Sequence, residues 1–504
     1  MPPSPTPRPQ GYVLDTSYAD TFFQELSPAW LNYARAVNGV PSKPLDQPFT
    51  YIELGAGFGH STVVNAAAFP HGEFHACDFN PEHVAGGRGY AEALGLRNIQ
   101  FHEASFERLL QTELPMFDFV VLHGVYSWVG AEARAAVRQL IRDKLAPGGL
   151  VYVSYNCMPG WASELPVRRL LVELAAAAPG ESSEKMRQAV QVLTQMNDRG
   201  VRYFDANPEA ARAIESYARV PPKYLAHEFL NETWQPFYSI DVIDELAEAG
   251  VSFIGSATLA DNHPMLLVEE SAAEAMKGLS SPRQQHLALD FATNRRFRRD
   301  VFVRSDTPRS QIEAARALNA VVVGCIGDPQ QLSTRVKVPR GQISFQPDFI
   351  DELKSLLRNG SITLGKATAE LGGKSRNVAE IVRNLAFLVA GGALTPFARV
   401  FHHELPAEVR RPANAIVERS LACIIEQRAA RAIPSELLGN GVLVKPLEAL
   451  AIIELLSGAE PGDALSARVR QAAVEFDITA EADDVVKHVA GTLLPSLARL
   501  KLVE

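Results

Sequence analysis

The chain has 504 residues, a hydrophobic content of 47%, a charged content of 21% and a formal net charge of −9. A chain of this length usually forms more than one domain, and we expect three. The acidic balance argues against a general nucleic-acid-binding protein, which normally presents a basic surface. Cys77, Cys157, Cys325 and Cys423 are widely spaced and form no C-x-x-C pair, so no metal site or dithiol redox motif is predicted.

The first ten residues, M-P-P-S-P-T-P-R-P-Q, are rich in proline and lack the apolar core of a signal peptide. We interpret residues 1–44 as a tail and lid segment, in which Tyr12 and Tyr18 are candidates to cover a ligand pocket. No stretch approaches the roughly 18–20 uninterrupted apolar residues of a membrane span. We therefore expect a cytoplasmic protein without a membrane span.

Apolar runs alternate with helical patterns between residues 50 and 156. Strands separated by helices of this length are typical of βαβ units in a mainly parallel sheet, which is an α/β fold. Such sheets bind ligands beyond the carboxyl ends of their strands. The predicted strands are 50–54, 73–78, 98–103, 117–123 and 150–156, and the predicted helices are 61–69, 81–94 and 131–145, the last ending at Pro147-Gly148-Gly149.

The middle of the chain is predicted to be mostly helical. Residues 163–218 and 239–249 have helical patterns, with H-E-F-L-N-E-T-W-Q-P-F-Y between them at 227–238 and a short strand at 251–256. The pair His227-Glu228 lacks the second histidine of H-E-x-x-H, so we interpret it as structural. The basic cluster at 294–304 is interpreted as a solvated face or an interdomain salt-bridge face.

The C-terminal part is predicted to be helical as well. A helix at 349–357 precedes a second helix whose apolar face carries Val378, Ile381, Val382, Leu385, Leu388 and Val389. With A-L-T-P-F after it, this region resembles a small winged-helix module. The expected division of the chain is a tail at 1–44, a catalytic domain at 45–220, a middle domain at 221–335 and a C-terminal domain at 336–504.

The first strand leads into a glycine-rich turn, T-Y-I-E-L-G-A-G-F-G-H at 50–60. The glycines at 55, 57 and 59 form G-x-G-x-G, not the G-x-G-x-x-G of dinucleotide-binding proteins. Glu53 adds a negative charge that an anionic pyrophosphate would not favour. A ligand with a cationic end, such as S-adenosylmethionine, is compatible with it.

Asp78 ends the second predicted strand. A carboxylate there can accept hydrogen bonds from both hydroxyl groups of a ribose. NAD and S-adenosylmethionine share this need, so Asp78 does not discriminate between them. It could equally be the N-cap of the next helix.

E-L-G-A-G-F-G, the acid at 78, the apolar strand ending at His123, and L-A-P-G-G at 145–149 together resemble the Rossmann-like S-adenosylmethionine-dependent methyltransferases. The resemblance covers roughly residues 45–156. It implies a mainly parallel seven-stranded sheet, S-adenosylmethionine as cofactor and S-adenosylhomocysteine as product. It implies that Glu53 and the turn residues hold the methionine end, that Asp78 holds the ribose, and that Ser105 and Phe106 flank the adenine. The cofactor-binding residues implied in this way are Glu53, Gly55, Ala56, Gly57, Gly59, Asp78, Phe79, Ser105, Phe106 and His123.

A narrower resemblance involves H-G-V-Y-S-W-V at 123–129, Y-V-S-Y-N-C-M-P-G-W at 152–161 and the segments at 227–238 and 294–304. These are similar to a bacterial methyltransferase subfamily with a regulatory domain after the catalytic one. Its best-understood members are protein-lysine methyltransferases that act on outer-membrane proteins. The resemblance therefore implies a protein substrate.

Aromatic and polar side chains around an acceptor amine would orient it and stabilise its charge. Candidates for this catalytic role follow the fourth and fifth strands: His123, Tyr126, Trp128, Tyr155 and Asn156. Trp128 also fits a packing role in the core. Two alternatives remain open: methylation of a small molecule at nitrogen or oxygen, and a regulator that binds the cofactor without turnover. A homodimer is a further option that the sequence leaves open.

Overall fold

A computed structural model of the chain describes residues 21–304, 310–372, 377–402 and 409–504. The predicted lid residues Tyr12 and Tyr18 lie outside these ranges. A 3₁₀ turn at Gln24–Leu26 leads into α1 at Pro28–Val37. The Ser27 side chain caps α1 by accepting a hydrogen bond from the Ala29 N–H at 3.1 Å.

A seven-stranded sheet forms the centre of the protein, in the order β3-β2-β1-β4-β5-β7-β6. The strands β1 to β5 are parallel, and β7 is antiparallel to both of its neighbours. This confirms the predicted mainly parallel seven-stranded sheet. The strand bounds are β1 Thr50–Leu54, β2 Glu73–Asp78, β3 Ile99–Glu103, β4 Phe117–Leu122, β5 Leu145–Asn156, β6 Ser252–Ser256 and β7 Phe297–Val303.

Three helices connect the parallel strands as the sequence predicts, with ends that differ by at most one residue: α2 His60–Ala68, α3 Pro81–Leu94 and α5 Ala131–Lys144. A short fourth helix that was not predicted, α4 Phe106–Leu109, lies between β3 and β4. The prediction that L-A-P-G-G ends a helix and precedes the fifth strand is wrong, because β5 already begins at Leu145. Phe117 pairs with Leu145 and Phe119 with Leu150, so the extra residues form an irregularity within the strand.

The middle segment completes the sheet and adds a helical layer with its own apolar core. Its helices are α6 Leu165–Ala177, α7 Ser182–Asp198, α8 Arg202–Ala206, α9 Pro208–Tyr217, α10 Pro222–Phe229, α11 Ser239–Ala247, α12 Glu270–Met276 and α13 Pro282–Ala292. The strands β6 and β7 belong to the central sheet although they lie far along the chain.

The basic cluster at 294–304 is not a solvated face, because β7 runs through it between two other strands. Arg298 is buried and binds Asp290 at 2.6 Å and Asp300 at 3.0 Å. Arg296 pairs with Glu164 of the helical layer. Of the two interpretations offered by the sequence, the salt-bridge face is the one that fits these side chains.

The C-terminal part packs on one face of the sheet and shares its core. The apolar cluster that contains Tyr51 and Phe119 also contains Phe349 and Leu385. Its first elements are α14 Gln311–Ala320, β8 Val322–Gly324, β9 Arg335–Val338, β10 Gly341–Ser344, α15 Pro347–Leu357, β11 Ile362–Thr363, α16 Leu364–Gly372, α17 Val378–Ala390 and β12 Thr395–Phe397. From α15 to β12 the order is helix, strand, two helices, strand, which is compatible with the winged-helix resemblance, and that resemblance stays a prediction.

The predicted apolar face of α17 packs in this core except at its start, where Val378 is exposed. The boundary predicted at 336 separates β8 from its sheet partners β11 and β12. A division before α14 would keep that small sheet together. The division of the chain into domains stays a prediction.

The last elements form a second apolar cluster. They are α18 Ala415–Glu426, β13 Arg431–Ser435, β14 Asn440–Val444, α19 Pro446–Leu456, α20 Asp463–Glu475, α21 Ala482–His488 and α22 Leu494–Arg499. Among the residues that the structure describes, no helix combines the length and the apolar composition that crossing a membrane requires.

Candidate functional site

A cavity of about 480 Å³ lies at the carboxyl ends of β1, β2 and β4. Parallel strands bring their carboxyl ends to one edge of the sheet, and the first two strands end there at the glycine turn and at Asp78. All of the predicted cofactor residues except Gly59 line this cavity: Glu53, Gly55, Ala56, Gly57, Asp78, Phe79, Ser105, Phe106 and His123.

The glycine turn is held against the end of β2 by backbone hydrogen bonds. The N–H groups of Gly55 and Ala56 both donate to the carbonyl of Cys77, at 2.8 and 3.0 Å. Gly55 has φ +72°, and a Cβ there would lie 2.4 Å from Val125. Glycine is therefore required at this position by both conformation and space.

Gly57 lies at the tip of the turn with φ +55°. A Cβ at Gly57 would meet nothing within 4 Å, so this glycine leaves the backbone open to the cavity. Gly59 has a different place: it precedes α2 as its N-cap and faces the Phe101 ring.

Asp78 is 8% exposed and faces the turn. Its Oδ2 accepts from the Gly57 N–H at 2.8 Å, and its Oδ1 accepts from the Asn80 N–H at 2.9 Å. The ring of His83 approaches Oδ1 at 3.3 Å. Asn80, not Asp78, caps α3 by accepting from the Glu82 N–H at 3.0 Å. Oδ2 of Asp78, which accepts one hydrogen bond, keeps a lone pair for a ligand.

Glu53 is almost fully buried at the end of β1, and Thr62 of α2 donates a hydrogen bond to its carboxyl group. Burial raises the pKa of Glu53 to about 7, Thr62 lowers it and the charge of Asp78 raises it. Two carboxyl groups thus share one end of the cavity. A cation bound between them would favour their ionised forms.

His123 follows β4 and forms part of the cavity wall. Its Nδ1 lies 2.8 Å from the hydroxyl of Tyr152, and the ring of Phe23 covers it with centroids 3.8 Å apart. Burial lowers the pKa of His123 to about 3, and the charge of Arg299 lowers it further. The imidazole is therefore neutral at physiological pH.

Family models match both the segment that forms most of the cavity wall and the segment that contributes Thr233. Residues 52–151 match the family model of a methyltransferase domain, and residues 221–304 match that of a predicted methyltransferase regulatory domain. An uncharacterized protein of Synechocystis sp. is 31% identical over 444 residues, which is 88% of this chain and 87% of that protein. The chain belongs to the family of methyltransferases with a regulatory domain.

This methyltransferase also has relatives of narrower or more distant likeness. A trans-aconitate 2-methyltransferase of Methylobacterium radiotolerans is 31% identical over 136 residues, 27% of this chain and 47% of that enzyme. The structure of PKMT2 from Rickettsia typhi in complex with AdoHcy has a TM-score of 0.70 at 17% identity, covering 97% of this chain and all of that one. The chain is an S-adenosylmethionine-dependent methyltransferase.

The residues of this cavity fit S-adenosylmethionine. The open side of Gly57 can accept a ligand at van der Waals distance, and the two carboxyl groups suit its cationic methionine end and its ribose. Ser105, Phe79 and Phe106 add a hydroxyl and two rings on the side of β3. We propose that Glu53 and the turn hold the methionine end, Asp78 the ribose, and these three residues the adenine.

The predicted catalytic residues divide into two groups. His123 and Trp128 line the cavity, whereas Tyr126, Tyr155 and Asn156 do not. Tyr126 is fully buried, and its hydroxyl donates to Glu245 of α11 at 2.6 Å. The turn at 125–128, closed by the Trp128 N–H on the Val125 carbonyl, directs Tyr126 into the core and Trp128 to the cavity. The predicted direct catalytic role of Tyr126 is therefore corrected: the side chain lies in the core and does not reach the cavity.

The predicted direct role of Tyr155 is corrected for a different reason, because side chains along β5 alternate between the two faces of the sheet. Tyr152 packs with Tyr51 on one face of the sheet, and Tyr155 packs with Val153 on the other. The hydroxyl of Tyr155 donates to the buried Asp300 at 2.5 Å. Tyr152, which sequence reasoning did not select, is the tyrosine that reaches His123. The two-residue alternation along β5 predicts which tyrosine lies on the same face as His123, but only once the face of the sheet toward the cavity is known.

Two further wall residues were not among the predicted site residues. Phe23 precedes α1, and Thr233 follows α10 of the regulatory segment. Phe23 lies in the segment predicted as a lid, and Thr233 lies in the 227–238 segment that resembles the regulatory domain, but neither signal identified the individual residue. Their presence shows that the N-terminal segment and the regulatory segment both help to enclose the cavity.

Proposed function

We propose that this methyltransferase transfers methyl groups from S-adenosylmethionine to lysine side chains of a protein. The full-length likeness to PKMT2, a protein-lysine methyltransferase of Rickettsia typhi, supports this proposal because it extends through the regulatory and C-terminal segments. The likeness to trans-aconitate 2-methyltransferase, by contrast, covers 27% of this chain.

The observation that carries the proposal is the composition of the cavity wall. Thr233 joins Trp128 and His123 in the cavity wall, so the regulatory segment contributes one side of it. Trp128 also packs against the helical layer that contains Trp161 and Trp234. An acceptor that enters from this side therefore meets a broad surface of helices, which suits a protein chain better than a free metabolite.

The cofactor supplies a methyl group already activated by a sulfonium. The chain's own residues then have to align the acceptor and exclude water. A lysine amine has a pKa of about 10.4 in water and must be neutral to react. Apolar walls such as Phe23, Trp128 and Val125 lower that pKa by desolvation, and the neutral His123 adds no second positive charge.

The proposal is tested by methyl transfer into a lysate of the organism that carries the gene. The full chain is incubated with tritiated S-adenosylmethionine, and the lysate is separated into protein and metabolite fractions. We expect label in protein, released on hydrolysis as N-methyllysine and located by mass spectrometry. A chain carrying Asp78→Ala serves as the control. Label confined to metabolites would instead support a small-molecule acceptor.

A further inference from the structure

Glu228 is a carboxyl group that the described cofactor site does not use. It lies on α10, within the H-E-F-L-N segment, and is partly accessible although most of its surroundings are protein. Asn156 at the end of β5 donates to its Oε1 at 3.3 Å. Within the described parts of the chain, no lysine, arginine or histidine forms an ion pair with it. The groups that donate to it are neutral, namely the Asn156 amide and the Trp234 indole.

Two contacts connect Glu228 with the cavity wall. The Asn156 N–H donates to Ser127 Oγ at 2.8 Å, and Ser127 precedes the wall residue Trp128. On the other side, Trp234 adjoins the wall residue Thr233 and lies close enough to lower the pKa of Glu228. The carboxyl group therefore sits behind the part of the wall that β5 and the regulatory segment share.

The surroundings of Glu228 are aromatic. Trp234 is nine-tenths buried, and its indole N–H, which has no other hydrogen-bond partner in the described residues, faces the Glu228 carboxyl group and lowers its pKa. Tyr217 is buried beside the carboxyl group, while Tyr224 is half exposed, and the charge of Glu228 contributes to the raised pKa of both. Tyr224 thus marks a route from solvent to Glu228. Aromatic rings around a carboxylate are a favourable setting for an alkylammonium ion.

The nearest positive charge is engaged elsewhere. Arg168 donates to the carbonyls of Phe229 and Asn231 at 3.0 and 3.3 Å, and its guanidinium lies 4.5 Å from the centre of the Trp234 ring. Its charge lowers the pKa of Glu228, but burial has the larger effect and raises it. A buried carboxylate without a paired cation is costly, and an arriving cation would relieve that cost.

We infer that Glu228, oriented by Asn156 and bordered by Trp234 and Tyr224, binds the ammonium group of the acceptor lysine as it approaches the cavity. This inference rests on the proposed function. It assigns the carboxylate a role in recognising a primary ammonium. It also gives Asn156 a positioning role in place of the direct catalytic role that the sequence suggested.

The binding part is tested with n-butylammonium chloride as a probe of the lysine side chain. The full chain, labelled with ¹⁵N at its four tryptophans and saturated with S-adenosylhomocysteine, is titrated by NMR. We expect a saturable shift of the Trp234 indole resonance. Trp30 is the internal control, because its indole N–H is bonded to the Ala257 carbonyl at 2.8 Å. The neutral n-butanol should not reproduce the shift.

Substitutions separate the charge from the fold. Glu228→Gln should abolish the shift, Glu228→Asp should retain part of it, and Glu232→Gln, at an exposed position of the same segment, should leave it unchanged. In methyl transfer to lysate protein, Glu228→Gln should lower kcat/KM by about 10- to 100-fold, the scale of a lost charged hydrogen bond. The affinity for S-adenosylhomocysteine should stay at the wild-type value.

The outcomes distinguish the inference from the proposed function. A wild-type chain that forms no N-methyllysine refutes the proposed function. Normal methyllysine formation by Glu228→Gln, or a Trp234 resonance that n-butylammonium does not move in the wild-type chain, overturns only the role of Glu228.

Discussion

The backbone N–H of Gly57 donates to Oδ2 of Asp78 at 2.8 Å, so the tip of the glycine turn and the acid that ends β2 form one unit. The turn cannot move without breaking a charge-assisted hydrogen bond, and the carboxylate cannot rotate without releasing the turn. The cavity therefore has a preorganised floor before any ligand arrives, and the first two predictions concern this unit.

Replacing Asp78 by alanine removes the acceptor of both the Gly57 and Asn80 N–H groups. We expect the affinity for S-adenosylhomocysteine to fall by roughly 1.5–3 kcal/mol, the scale of a charged hydrogen bond. Isothermal calorimetry measures the change. Glu92→Ala, on the exposed side of α3, is the control. Unchanged affinity in Asp78→Ala would remove Asp78 from the ribose site.

Alanine at Gly57 and at Gly55 should have different effects. Both positions have positive φ, so each substitution carries a strain of about 1–2 kcal/mol. At Gly57 the new methyl group meets only the cavity, so we expect a folded chain that binds S-adenosylhomocysteine poorly. At Gly55 it collides with Val125, so the loss of thermal stability should be larger. Equal melting temperatures with equal affinities would contradict this account of the turn.

Glu53 should make the stability of the protein depend on pH. Its folded pKa of about 7 lies above the ordinary value of 4.5, so the folded state binds more protons than the unfolded state between these values. Stability contributed by this group is therefore lost as pH rises through that window and stays low above it, by on the order of 3 kcal/mol.

Glu53→Gln removes this titration. The free energy of unfolding of the variant minus that of the wild-type chain should be larger at pH 8 than at pH 5. Urea unfolding at the two pH values measures the difference, and Glu73→Gln, at the exposed start of β2, is the control. A stability difference that is the same at both pH values would show that Glu53 does not titrate in this range.

Tyr126 should matter for stability and not for turnover. Tyr126→Phe removes the hydrogen bond to Glu245, and we expect a loss of about 0.5–1.5 kcal/mol in the free energy of unfolding. Because the side chain does not line the cavity, kcat should stay near the wild-type value. Tyr238→Phe, at a more exposed site, is the control. A large fall in kcat without a fall in stability would indicate that Tyr126 takes part in catalysis.

Much of the catalytic segment could be predicted from the sequence because its signals are local. Glycine spacing reports positive φ at 55, 57 and 59, and apolar runs ending in Glu53, Asp78 and His123 report strands that end at one edge of a parallel sheet. The two strands β6 and β7 were harder to place, because β7 pairs with β5 more than a hundred residues away in the chain and β6 joins the sheet through β7.

The amino-acid sequence by itself determined the Rossmann-like α/β fold, the cavity edge and the residue types that suit S-adenosylmethionine, since each depends on short-range pattern. The tertiary structure decided which side chains share the cavity. Tyr126 and Tyr155 were lost to the core because turn direction and strand alternation are read only against a known face. Phe23 and Thr233 were gained because distant segments close over the sheet edge, and Tyr152 because its hydroxyl contacts His123 of the cavity wall. Burial in that closed setting produces the raised pKa of Glu53 and the lowered pKa of His123.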